Sequence, residues 1–215
     1  MIVIIDYGMG NLRSAQKGVE KGGHDAIISD SPDALEDADG IILPGVGAFK
    51  DCFDGLSERG FVKPLLNTTS AGTPLLGICV GMQMLFEHSD EGAGSPGLGI
   101  LPGNVVRFPD YSESGLKVPH MGWNRLDLLT DRPSPLLKNI TVDPYVYFVH
   151  SYFPVPSSSD VVYAESTYGV SFPAVVGRGN VFGTQFHPEK SQAEGINILG
   201  AFGDYVLEVK AVAQP

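Results

Sequence analysis

Cys79 stands where a short apolar run, Pro74-Leu75-Leu76-Gly77-Ile78, passes into a helix-like run from Val80 to Phe86. A side chain at so sharp a strand-to-helix turn is held out of the sheet. The flanking glycines, Gly77 and Gly81, let backbone pack where a β-carbon would collide. The unpaired N–H groups at a helix start also favour negative charge on the sulfur. The spacing reads as a nucleophile elbow with cysteine as the nucleophile. A lone cysteine is more often a small buried hydrophobe, so the motif needs partners.

Phe186-His187-Pro188-Glu189 supplies them, at the end of an apolar run from Asn180 to Phe186 that reads as a strand ending at His187. His187 and Glu189 are two residues apart, so in extended backbone they share a face, and Pro188 between them restricts the local geometry. The carboxylate can then orient the imidazole. Cys79 as nucleophile, His187 as general base and Glu189 as orienter fill the three roles of a catalytic triad. An oxyanion formed at Cys79 needs donors. The N–H of Val80 is one candidate, and the Pro44-Gly45-Val46-Gly47 turn is a source of others, although from spacing alone it reads equally as a plain Gly-rich turn.

The elements that must position these residues are short. Ile2–Ile5, Asp25–Ile28, Gly40–Leu43 and Leu75–Ile78 are apolar runs rich in β-branched residues, the pattern of parallel strands buried on both faces. Helix-like segments at Asn11–Lys21, Ala48–Arg59 and Val80–Glu87 fit crossovers, so the N-terminal half reads as βαβ units of a doubly wound sheet. Runs at Ile100–Arg107, Val118–Leu126, Val161–Thr167 and Ala174–Thr184 are broken by Gly and Pro and predict hairpins and antiparallel additions, and a last helix is expected over about Ala193–Val209. The fold class is therefore α/β, with a mostly parallel sheet and antiparallel additions in the C-terminal half. Gly8-Met9-Gly10-Asn11-Leu12-Arg13 follows the first strand but has Arg13 where a dinucleotide fingerprint needs its third glycine, which argues against a nucleotide site.

Composition narrows the function classes. The 215 residues suffice for one substantial core without a dividing linker, so one domain over 1–215 is expected. Lys and Arg total 14 against 25 Asp and Glu, a formal charge of −11 that argues against nucleic acid or an anionic membrane as partner. The two cysteines, Cys52 and Cys79, leave nothing for a disulfide framework, and Ile2–Ile5 is too short for a signal segment, so the cytoplasm is the expected compartment. His120 and His150 lack ligand spacing and His24 and His88 read as surface residues, so neither a metal nor a cofactor is expected.

Gly77-Ile78-Cys79-Val80-Gly81-Met82-Gln83 together with His187-Pro188-Glu189-Lys190-Ser191 resembles the class I (triad) glutamine amidotransferases. Asp6–Leu12, Pro119–Asn124 and Tyr147–Tyr152 resemble the branch of that family which feeds ammonia to a cyclase in histidine biosynthesis. The resemblance implies a flavodoxin-like glutaminase fold. It also implies glutamine hydrolysis through a cysteine thioester, and a (β/α)8-barrel cyclase partner that makes imidazole glycerol phosphate. By the same resemblance Gly45, Val46 and Gly47 join Val80 in an oxyanion hole, while Gln83, Glu91, Ser151 and Tyr152 hold glutamine. Asn11, Arg13, Trp123 and Lys190 would face the partner. Alternatives are a glutaminase serving anthranilate or purine nucleotide synthesis, or a γ-glutamyl cysteine hydrolase without a partner. Val80 departs from the leucine more usual there, and the tail after Lys210 matches nothing in the family.

Overall fold

The computed structural model describes residues 1–111 and 115–213; the remaining residues of the expected 1–215 domain lie outside the described residues. Four apolar runs form strands β1 (Ile2–Ile5), β2 (Ala26–Ser29), β3 (Gly40–Leu43) and β4 (Leu75–Ile78). They are joined by helices α1 (Leu12–Lys21), α2 (Phe49–Glu58) and α3 (Val62–Ser70). The eight-stranded main sheet runs β2, β1, β3, β4, Val181–Thr184, Val170–Arg178, Val162–Tyr168, Asp127–Leu128. Its first five strands are parallel and the rest pair antiparallel. The α/β class with antiparallel C-terminal additions is thus observed.

β1, β3, β4 and Val181–Thr184 are buried along their whole length, as a sheet covered on both faces requires. β2 departs from the expectation of two buried faces. It is the edge strand, and Ile27 stays 42% exposed. A short helix α4 (Val80–Gln83) follows the elbow and a long one, α5 (Gln192–Ala213), closes the described chain. The expected helix to Glu87 is a correction. After Gln83 the backbone tightens to bonds from Leu85 N–H to Met82 O and from Phe86 N–H to Gln83 O, and the Leu85 carbonyl turns to accept from Ile100 and Leu101.

Two smaller sheets sit beside the main one. His120–Arg125 pairs antiparallel with Tyr145–His150, and Tyr152–Pro156, Gly103–Arg107, His88–Ser89 and Ser95–Pro96 form a four-stranded sheet. Among the described residues no helix is long and apolar enough to cross a membrane.

Candidate active site

The sheet order places the chemistry. In parallel register Leu43 lies beside Gly77, and Ile78 beside Thr184, so the segments after β3, β4 and Val181–Thr184 emerge side by side at the carboxyl end of the sheet. These segments are the Pro44–Gly47 turn, Cys79, and Gln185 to Glu189. The Cys79 N–H donates to Thr184 O at 2.8 Å and ties the elbow to the strand that carries His187.

Cys79 has φ 55° and ψ −109°, left-handed backbone that a residue with a side chain adopts only when its surroundings force it. The surroundings are backbone packed too close for a side chain. A β-carbon on Gly81 would fall 1.9 Å from Leu43 O, and one on Gly77 2.6 Å from Gly81 O. The elbow expected from the sequence is present, and its glycines are required by contact.

His187 is 2% exposed and its Nδ1 lies 2.8 Å from Glu189 Oε1, whose side chain is equally buried. Burial by itself would lower the His187 pKa, but hydrogen bonds to Cys79 and Glu189 and then their charges push it up to about 10. Glu189 shows the converse. Burial raises its pKa, yet the hydrogen bond and charge of His187, followed by the hydrogen bond from Asn11, bring it below the ordinary carboxylate value. With Nδ1 committed to Glu189, Nε2 is the nitrogen left for the sulfur. Two further groups approach that sulfur: Gln185 Nε2 at 3.9 Å and the Val149 carbonyl at 4.0 Å.

The sulfur opens on a cavity of about 410 Å³. Of the residues expected to act there, Cys79, Val80, Val46, Gly47, Gln83, Glu91, Ser151, Tyr152 and His187 line it. Gly45 lies behind, packed on the elbow, where a β-carbon would meet Gly81 N at 2.6 Å. Val80 opens α4, so its N–H has no acceptor within the helix. Tyr7 and Cys52 hold the turn from below: Tyr7 Oη–H donates to Pro44 O at 2.7 Å, and Cys52 Sγ lies 3.3 Å from Val46 O. Burial pushes the Cys52 thiol up, so the second cysteine is structural.

The expected substrate residues are engaged. Gln83 Nε2 donates to Tyr152 O at 2.8 Å and to Gln185 Oε1 at 3.2 Å. Glu91 Oε2 accepts the Phe49 N–H at 2.6 Å, which sets a carboxylate on the first turn of α2 and leaves further acceptor capacity toward the cavity.

Of the expected partner-facing residues, Arg13 and Lys190 are exposed and Trp123 is 47% exposed. Asn11 is half-buried, and its side chain points inward to Glu189. His24 also departs from expectation, being only 11% exposed and paired with Asp204. Sequence reasoning passed over Gln185 and the role of His150. A buried chain runs from Asn124 Nδ2 to His120 Nε2 at 3.4 Å, from His120 Nδ1 to His150 Nε2 at 3.1 Å, and from His150 Nδ1 to Tyr152 O at 2.9 Å. Each link fixes the tautomer of the next ring. Burial lowers the His120 pKa to about 4 and the His150 pKa to about 3, so both are neutral acceptors and donors, and with 30 residues between the two rings the sequence gave no sign of it.

The family model described as glutamine amidotransferase class-I matches residues 3–202. The chain belongs to that family. Among its relatives is the imidazole glycerol phosphate synthase subunit HisH of Syntrophotalea carbinolica, 55% identical and covering 95% of this chain and 100% of the relative. The proteins of the same name from Geobacillus kaustophilus (54% identical; 94% and 95% covered) and Geobacter sulfurreducens (50%; 94% and 98%) are similar to it as well. Two solved structures share the fold of this chain. One is PurLQS from Thermotoga maritima (TM-score 0.73, 21% identity, 95% of this chain and 98% of that chain), and the other a glutamine amidotransferase (0.70, 20%, 98% and 100%).

Proposed function

We propose that this chain, as one amidotransferase domain, is the glutaminase subunit of an imidazole glycerol phosphate synthase and works in the cytoplasm. The observation that carries the chemistry is the 2.8 Å pairing of His187 Nδ1 with Glu189 Oε1 behind Cys79. An imidazole whose pKa stands at about 10 rests protonated, so it already holds the proton that the departing ammonia needs.

The thiolate attacks the carboxamide carbon of glutamine, and the Val80 N–H and the Pro44–Gly47 turn receive the oxyanion. As the C–N bond breaks, His187 gives its proton to the departing ammonia and a γ-glutamyl thioester remains. The now neutral imidazole takes a proton from water, the hydroxide adds to the thioester carbon, and collapse releases glutamate and restores the thiolate. Glu189 keeps the imidazole in the correct tautomer throughout. Glu91 recognises the α-ammonium of glutamine, and Gln83 with Ser151 and Tyr152 shapes the rest of the cradle. No cofactor takes part.

Free ammonia in water is mostly protonated and non-nucleophilic, so release is productive only into a sheltered path to an acceptor. Relatives at 50–55% identity that bear the synthase subunit's name support the remainder of an imidazole glycerol phosphate synthase as that acceptor enzyme, rather than an enzyme of anthranilate or purine nucleotide synthesis, and the motif resemblance makes it a (β/α)8-barrel cyclase. Arg13, Trp123 and Lys190 offer it an exposed face. The test is glutamate release by the free chain, by its complex with the cyclase, and by the complex holding the cyclase's nucleotide ligand. Stimulation by the complex is expected. Equal rates within a factor of about 2 in all three would overturn a partnered glutaminase, since a population shift of even about 1.4 kcal/mol is a tenfold change.

A further inference from the structure

Asn11 spends its side chain in an unusual way. It stands at the N-cap of α1, where asparagine is among the best residues for accepting an orphan helix N–H. It makes no such bond. Its backbone, at φ −88° and ψ 57°, is also outside the extended geometry usual for a cap. Instead Nδ2 donates to Glu189 Oε1 at 3.0 Å, across 178 residues of sequence.

The oxygen it reaches is the one that accepts His187 Nδ1. The other oxygen, Oε2, is buried with no hydrogen-bond partner among the described residues. The terminal torsion of a glutamate is broad and nearly two-fold, so nothing on Oε2 selects one orientation of the carboxylate over another. Two donors converging on Oε1 do select it. We propose that Asn11 is a positioning residue of the catalytic triad, holding the Glu189 carboxylate in the orientation that grips His187. The inference rests on the triad reading above.

The loop before α1 is built to deliver that amide. Gly8 N–H closes a turn onto Asp6 Oδ1 at 3.0 Å, and Gly10, at φ +110°, sits so close to Pro44 that a β-carbon would be 2.7 Å from the proline's own. Asn11 is thus clamped between the Pro44 turn and the triad carboxylate. Further along α1, a β-carbon on Gly18 would lie 4.0 Å from Glu189 Cα, so the helix itself lies against the turn that carries the carboxylate.

The experiment is a double-mutant cycle on the full chain, with Asn11→Ala made in the wild type and in Glu189→Ala. Two quantities are read: steady-state glutamine hydrolysis by the chain with its cyclase, and the rate at which iodoacetamide alkylates Cys79 in the free chain, where no partner contact contributes. In the wild type Asn11→Ala is expected to lower kcat by about tenfold with KM within about twofold, the scale of a lost hydrogen bond to a charged group, and to slow alkylation similarly. In Glu189→Ala the same substitution should change neither rate. Asn11→Asp removes the donor and sets a like charge against the Glu189 carboxylate, so its kcat should fall at least as far. Equal effects of Asn11→Ala in both backgrounds, or an Asn11→Asp variant with wild-type kcat, would overturn the proposal. If Glu189→Ala alone leaves hydrolysis unchanged, the triad reading itself fails and the proposal falls with it.

Discussion

Gln83 Nε2 donates to Gln185 Oε1 at 3.2 Å, and that bond turns the amide of Gln185 so that its own N–H group faces the Cys79 sulfur. Gln83 is itself fixed by its bond to the Tyr152 carbonyl. A fully buried side chain that does not line the cavity therefore approaches the nucleophile from behind.

Gln185→Leu keeps the bulk and removes that donor. It is expected to slow glutamine turnover and iodoacetamide alkylation of Cys79 by about tenfold, with KM within about twofold because Gln83 keeps its shorter bond to the Tyr152 carbonyl. Alkylation of a folded Gln185→Leu variant at the wild-type rate would remove Gln185 from the site.

The buried histidines make stability depend on pH in opposite directions. His120 and His150 have folded pKa values of about 4 and about 3, below the ordinary 6.5, so their contribution is full above about pH 6.5 and lost as pH falls through those values. His187, raised to about 10, contributes fully below about pH 6.5 and loses it as pH rises through 10. Denaturant unfolding from pH 7 to 4 should therefore show stability falling by up to about 1.4 kcal/mol per pH unit for each of the two neutral rings. A flat profile over that range, or one that rises on acidification, would contradict their burial as neutral groups.

Gly81 faces Leu43 O with no room for a β-carbon, since one would lie 1.9 Å from it, and the neighbour is backbone of β3 that cannot swing aside. Gly81→Ala is expected to cost about 3 kcal/mol or more, or to prevent folding. Gly23→Ala, at a surface turn with nothing within 4 Å of its β-carbon, should cost less despite its φ of +93°. Thermal unfolding of the two variants checks this, and equal melting temperatures would show that the elbow is looser than its contacts imply.

Much of this site was legible in the sequence because its signals are local. Four strands announced themselves as apolar runs, and Cys79 directly follows one of them; His187 and Glu189 follow the strand Val181–Thr184, which stops at Thr184 and not at His187 as expected. Helix α3 was missed because Pro64 in its first turn and Asn67-Thr68-Thr69-Ser70 in its last are poor helix formers, and tertiary packing of Leu65 decides the matter. The strands Tyr145–His150 and Tyr152–Pro156 passed unread as elements. The inward turn of Asn11 and the amide pair Gln83–Gln185 were not readable at all. They join residues 178 and 102 positions apart, and no spacing in the chain encodes a contact of that range.

The central claim is a division of labour in which Cys79 releases ammonia and another chain consumes it. The measurement that tests it most directly compares wild type with Cys79→Ala, each complexed with the cyclase, for product formation from glutamine and from added ammonium salt. Glutamine-dependent synthesis should vanish in Cys79→Ala while ammonia-dependent synthesis continues at the wild-type rate, because the thioester step is lost and the acceptor chemistry is not. Continued synthesis from glutamine by Cys79→Ala, or loss of both reactions in a well-folded complex, would contradict the account.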